Sequence, residues 1–121
     1  MAFRNLSSPE ARLKSALTNA IGKTLKNSGE FYLSKNYLSY LPYDMEDLRI
    51  YLEKRWDTWM SWDNWGMYRK GLRTWQVDHI IPQSSLPYDG LEHPNFVKCW
   101  SLINLRPFET QANLSKGNRI K

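Results

Sequence analysis

Six tryptophans and seven tyrosines in a chain of 121 residues, set against a single cysteine, decide how this chain can fold. Cys99 has no partner for an intrachain disulfide and cannot supply a structural zinc site made of several thiolates. Large aromatic side chains must therefore provide the core. At this length that core belongs to one compact unit. No apolar run reaches the roughly 20 residues that span a bilayer, and the N-terminus lacks the apolar stretch and cleavage site of a signal peptide. The expectation is a soluble chain with no membrane partner.

The formal net charge is +5, which favours an anionic partner, nucleic acid being the commonest for such a chain. The excess is uneven. Residues 1–40 carry six Lys or Arg against two acids, residues 41–75 six against six, and residues 76–121 five against four. By this count the surplus sits in the N-terminal third.

Ser8, Pro9 and Glu10 read as a helix start: a hydroxyl cap, a proline at the first helical position and an acid at the positive end of the dipole. The helix is expected to run to about Asn27, with Leu13, Ala16, Leu17, Ala20 and Leu25 as its apolar stripe. Arg12, Lys23 and Lys26 then share one flank, either as DNA phosphate contacts or as an ordinary solvated face. Gly29 and Pro42 break the stretch up to Tyr43 into loop, and Asp44 reads as a second cap. The helix after it places Leu48, Tyr51, Leu52, Trp56 and Trp59 on one face. Trp62 to Gly66, with Gly71, mark a turn-rich aromatic connection. The chain thus divides into a basic helical extension (1–43), a helix with an aromatic turn (44–74) and a C-terminal unit (75–117).

That last unit reads as a strand from Trp75 to Ile81 stopped by Pro82, a loop over 83–94, and a short helical turn around Phe96 to Trp100. A second strand over Leu102 to Phe108 follows, then a helix from Thr110 to Lys116 ended by Gly117. The fold class expected is α+β, with N-terminal helices packed on a strand, strand, helix unit. Its polar residues stand out by position. Asp78 and His79 end the first strand, Asn104 follows 25 positions after His79, Asn113 nine beyond that and Lys116 three further on. Singly, each has an ordinary reading: a surface acid, a satisfied histidine, a turn asparagine, an exposed helix residue.

Together, the segments WQVDHIIPQSS, NLRPF and NLSKGN resemble the HNH nuclease family. The upstream MSWDNWG and the region FVKCWSLINLRPF are similar to phage-encoded and mobile-element members, and the asparagine spacing with its NxxK continuation is similar to the HNH domain of CRISPR effector nucleases. The likeness covers about 44–117. The family often ends its motif in histidine where this chain has Asn113, an H-N-N variant, and zinc-binding CxxC pairs are absent. The resemblance implies a ββα-metal (His-Me finger) fold and a metal-dependent endonuclease. DNA would be the partner, cut to 5′-phosphate and 3′-hydroxyl ends in the cytoplasm of a bacterium or phage-infected host. It implies His79 as general base, Asn104 as the residue holding the loop behind it, and Asp78 and Asn113 as metal ligands.

The chemistry needs these residue types. A phosphodiester repels hydroxide and releases a poor alkoxide, so a cation must offset charge while a base makes the nucleophile. One carboxylate and one amide oxygen suit Mg²⁺, with Mn²⁺ or Ni²⁺ as substitutes. An imidazole with an ordinary pKa of about 6.5 accepts a proton at neutral pH. Lys116 and Arg106 are candidates to contact phosphate near the cut, or to lie on a solvated surface. His93 reads as a turn or cap residue and Cys99 as a small buried one. Because adjacent strand residues face opposite ways, Asp78 and His79 converge only if the strand ends or bulges between them. Two rival readings stay open: a DNA-binding module that kept the fold without cutting, and a toxin-type nuclease, which would call for an export or receptor-binding segment.

Overall fold

The first helix begins where its cap places it. In the computed structural model, which describes residues 8–27 and 36–116, α1 spans Pro9–Asn27 and the Ser8 hydroxyl accepts the Ala11 amide at 3.1 Å. Its buried stripe is Leu13, Leu17, Ile21 and Leu25. Ile21 replaces Ala16 of the expected stripe, because strict four-residue steps keep the larger side chains over one line of neighbours, and Ala16 stays exposed. Each such aliphatic side chain, fully buried, contributes about 1.5–3 kcal/mol.

Helix α2 (Met45–Glu53) starts on a reciprocal cap: Asp44 accepts the Asp47 amide at 2.8 Å, and the Asp47 carboxylate accepts the Asp44 amide at 3.0 Å. It buries Leu48 and Leu52 against α1. Arg49 donates to Glu10 at 2.8 Å and to Glu53 at 2.9 Å, tying the start of α1 to the end of α2. Both acids hold the guanidinium charged, and Arg49 in turn draws the Glu10 carboxyl below its usual range after the helix-start amides have done so first. The helix stops before Trp56 and Trp59, contrary to the run of its periodicity. The Arg55 and Trp56 amides tighten onto carbonyls three residues back, and Trp56 is taken into an aromatic cluster instead.

That cluster joins Trp56, Trp62, Trp65 and Trp75, with ring centroids 5.3–5.9 Å apart in edge, tilted and stacked pairs. Trp75 is fully buried in it, with its indole N–H donated to the Ser61 carbonyl at 2.7 Å. From this residue β1 (Trp75–His79) runs antiparallel to β2 (Leu105–Glu109), with Trp75 opposite Glu109, Asp78 opposite Arg106 and His79 opposite Leu105. Between them lie a 3₁₀ turn (Gln83–Ser85), α3 (Pro94–Trp100) and a second 3₁₀ turn (Leu102–Asn104). His93 caps α3, its Nδ1 accepting the Asn95 amide at 3.0 Å. Helix α4 (Thr110–Lys116) follows β2 without a break and packs on both strands. The architecture is α+β. Gly29 and Gly117 lie outside the described residues.

Both strands are shorter than expected, for one reason. The Ile80 amide makes the last ladder bond, to the Asn104 carbonyl at 2.8 Å. Beyond it, the side chain of Asn104 takes the place of a strand partner: its Oδ1 accepts the Ile81 amide at 2.8 Å and its Nδ2 donates to the Ile81 carbonyl at 3.2 Å. A primary amide presents a donor and an acceptor side by side, as a peptide unit does. Strand pairing therefore ends at His79 and Leu105, and residues 102–104 coil to aim that amide.

Candidate functional site

Alternation along β1 sorts the polar residues between two faces. Gln76 and Asp78 leave toward α4, together with Arg106 and Phe108 from the paired strand. Asn113, on α4, directs its Nδ2 toward the Gln76 Oε1 at 3.4 Å, which turns its own carbonyl oxygen to the other side of the amide. The structure therefore brings Asp78 and Asn113 to the same face of the sheet. Gln76 belongs to this group too. Counting two residues back from Asp78 along the strand would have found it.

Asp78 is buried, with its side chain 5% exposed, and its Oδ2 accepts the Arg106 Nε at 2.8 Å. Arg106 lies over the Phe108 ring, 4.1 Å from its centroid. Both contacts are with immediate sheet neighbours. The Arg106 guanidinium, expected either at a phosphate or on a solvated surface, is held here against Asp78 by a charge-assisted bond and by the ring. Its Nη2 is a buried donor without a hydrogen-bond partner among the described residues.

His79 leaves the opposite face, because the strand stays regular through its last pair and no bulge turns the two side chains together. Its ring stands edge-on to Trp100, centroids 4.4 Å apart at 82°. The imidazole lines a cleft of about 260 Å³ with Trp100, Val77, Gln83 and the Ala16 to Ala20 stretch of α1. Asp78 and His79 thus stand on opposite faces at the last pair of the strand, and the convergence that a bulge would have produced is not seen. The turn beyond that end is held by Asn104, which also donates to the Cys99 carbonyl at 2.9 Å and is itself 5% exposed. Asn104 thus bonds across the loop that follows His79. Cys99 is buried, and desolvation pushes its thiol up to about 12.

Away from the sheet, Lys23 and Lys26 are exposed on α1. Arg12 departs from the expected trio. Its Nη1 donates to the Trp62 carbonyl at 2.8 Å and its guanidinium lies 4.8 Å from the Trp65 ring centroid, so it is half-buried against the tryptophan cluster. Lys116 closes α4, and its side chain lies outside the described residues.

The donor chemistry on the α4 face fits a hard cation: one carboxylate and one amide, with a second amide from Gln76 nearby. Among the described residues no three or more His, Cys, Asp or Glu are grouped so that they could hold a metal ion. Among the same residues no helix is long and apolar enough to cross a membrane.

No family model and no solved structure matches the chain. Over 109 residues, 90% of its length, it is 33% identical to an uncharacterized protein of Acanthamoeba polyphaga mimivirus, and it spans 43% of that protein's length.

Proposed function

We propose that the chain is a divalent-metal-dependent endonuclease that hydrolyses phosphodiester bonds in DNA, with β1, β2 and α4 as a ββα-metal catalytic unit. The observation that carries this reading is the Asn104 brace. A general base acts only when its position is fixed, and here one buried asparagine holds the two residues that follow His79, Ile80 by its backbone carbonyl and Ile81 by its side-chain amide. The same amide holds the Cys99 carbonyl, so the brace also fixes the end of α3, from which Trp100 meets the imidazole.

A phosphate laid across the end of β1 borders both faces of the sheet. From one face His79 takes a proton from water as the water oxygen attacks phosphorus. The bond from phosphorus to the 3′ oxygen breaks, that oxygen leaves and gains a proton from solvent, and the products are a 5′-phosphate and a 3′-hydroxyl. From the other face Asp78 and Asn113 would hold Mg²⁺, with Mn²⁺ or Ni²⁺ as substitutes, and a cation held there would supply positive charge to offset the charge developing on the phosphate. For a cation to seat, Arg106 must share or yield the Asp78 carboxylate. Released, its guanidinium is suited to grip a phosphate oxygen.

The Asp78 to Arg106 ion pair also favours a second reading, a DNA-binding module that keeps the fold without cutting, because the carboxylate is already neutralised. One comparison separates the two. Supercoiled plasmid incubated with Mg²⁺ or Mn²⁺ is expected to be nicked or linearised, and to stay intact with EDTA. His79→Ala is expected to lower the rate about 10²-fold to 10⁴-fold, and His93→Ala to leave it near wild type. Intact plasmid in every metal, with calorimetry showing no Mg²⁺ or Mn²⁺ binding, would establish the non-cleaving module.

A further inference from the structure

Residues 67–73, with the sequence MYRKGLR, form a projecting turn that the functional reading has not used. The Leu72 amide bonds the Arg69 carbonyl at 3.0 Å, and Gly71 takes the positive φ of 82° that a tight turn of this kind needs at its third position. Its root is fixed three ways. The Gly66 amide bonds the Trp75 carbonyl at 2.9 Å, the Thr110 hydroxyl donates to the Gly66 carbonyl at 2.9 Å, and the Thr74 hydroxyl donates to the Met67 carbonyl at 3.2 Å. Clefts of about 340 and 530 Å³ flank it, so it stands as a ridge.

The surface of this ridge is unusual for a solvated loop. Met67 is 78% exposed, Leu72 58% and Tyr68 48%, three large apolar side chains on one short turn. Arg73 is committed to Glu109, at 2.7 Å, and to the Trp59 ring. Arg69 and Lys70 remain as exposed cations with no ion pair among the described residues. Segment 41–75 balances six cations against six acids, but all six acids lie at positions 44–63 and three of the cations at 69–73; with Arg73 paired to Glu109, and Asp63 and Glu109 lining the flanking clefts, the positive charge of the turn itself rests on Arg69 and Lys70.

We infer that this turn is a second DNA contact, a preformed ridge that enters a groove of the duplex. Arg69 and Lys70 meet backbone phosphates while Tyr68 and Leu72 lie against the sugars and base edges. Cations at a ridge crest match the two phosphate rails of a groove, and apolar tips between them match its floor. Rigidity favours this, since a turn already held at its root loses little freedom on binding. The root is Trp75, and Asp78 lies three residues along the same strand, about 10 Å at the usual strand rise. Contact and cut then fall within one helical turn of duplex, about 34 Å. The inference shares its partner with the nuclease reading but not its chemistry.

The test is binding of a labelled duplex of about 30 bp by the 121-residue chain in EDTA, titrated across roughly 50–200 mM salt. Replacing Arg69 and Lys70 together by alanine is expected to weaken binding about 10-fold to 100-fold and to lower the slope of log affinity against log salt by about 2, the release expected for two phosphate contacts. Tyr68→Ala with Leu72→Ser is expected to weaken binding about tenfold at an unchanged slope, which a purely electrostatic patch would not do. All four side chains are exposed or nearly so, and an unchanged melting temperature checks the fold. Wild-type affinity and slope in both variants would overturn the inference, as would a wild-type chain that binds no duplex. So would variants that change only self-association in sedimentation, which would make the ridge a protein interface. A chain that binds through this ridge but never cuts plasmid overturns the nuclease reading alone.

Discussion

The two ends of β1 are closed by different materials. At Trp75 the strand begins inside a cluster of four indoles, where a large apolar contact area accompanies two hydrogen bonds, the indole N–H to the Ser61 carbonyl and the Gly66 amide to the Trp75 carbonyl. At His79 it ends against Asn104, where four hydrogen bonds from one residue, three by the amide and one by the backbone, do the closing. Apolar area is non-directional and can be partly replaced by another ring. An amide that serves a donor and two carbonyls cannot be replaced by anything of the same size and different polarity. The first end is therefore a matter of stability and the second a matter of geometry, which is the division expected if function sits at the His79 end.

The comparison breaks most readily at its apolar end. Trp75→Ala is expected to cost about 3–5 kcal/mol in urea denaturation, and Trp75→Phe distinctly less, because a ring still fills part of the space. A loss under about 1 kcal/mol for the alanine variant would show that the cluster is not part of the core. Asn104→Ala is expected to cost about 2–4 kcal/mol, since the Ile81 and Cys99 backbone groups lose their partner. Plasmid cleavage should fall further in this variant than in one equally destabilised at the tryptophan end. Equal losses of cleavage at matched stability would erase the distinction between the two ends.

A smaller effect sharpens the contrast between Arg12 and its helix neighbours. Arg12→Ala is expected to cost about 1–2 kcal/mol through its bond to the Trp62 carbonyl and its contact with the Trp65 ring, while leaving the salt dependence of DNA binding alone. Replacing Lys23 and Lys26 should leave stability alone, and change that slope only if α1 lies along the duplex. The smallest effect concerns Cys99. With the thiol protonated far above neutral pH, a thiol reagent at about pH 8 should label it only as the chain unfolds. Labelling of the native protein at the rate of a free thiol would put the sulfur at the surface.

Much of this fold was legible because its determinants are local. Ser8, Asp44 and His93 cap helices from within three residues of the amides they bind, and such patterns can be read off a line of sequence. What a line of sequence does not show is contact with distant partners. Arg12 turns inward toward a carbonyl 50 residues away, and Arg106 turns toward a carboxylate 28 residues away. Helical periodicity carried Trp56 and Trp59 past the true end of α2, because a ring recruited by another cluster looks the same as a ring on the helix face. The basic turn at 69–73 was hidden by a segment count that summed to zero. At the candidate site, the polar residues stand out in the sequence, whereas the pairing of Asp78 with Arg106 depended on strand register, which spacing alone does not give.

The edge-on contact between His79 and Trp100 has an optical consequence. An imidazolium close to an indole drains its excited state far more than a neutral imidazole does, so the emission of Trp100 depends on whether its neighbour carries a proton. Subtracting the spectrum of a Trp100→Phe chain from that of the wild type would isolate that emission from the other five tryptophans. Followed across pH, the difference is a titration curve for a single histidine, obtained by light alone, and any ligand that settles at the end of the strand should displace it.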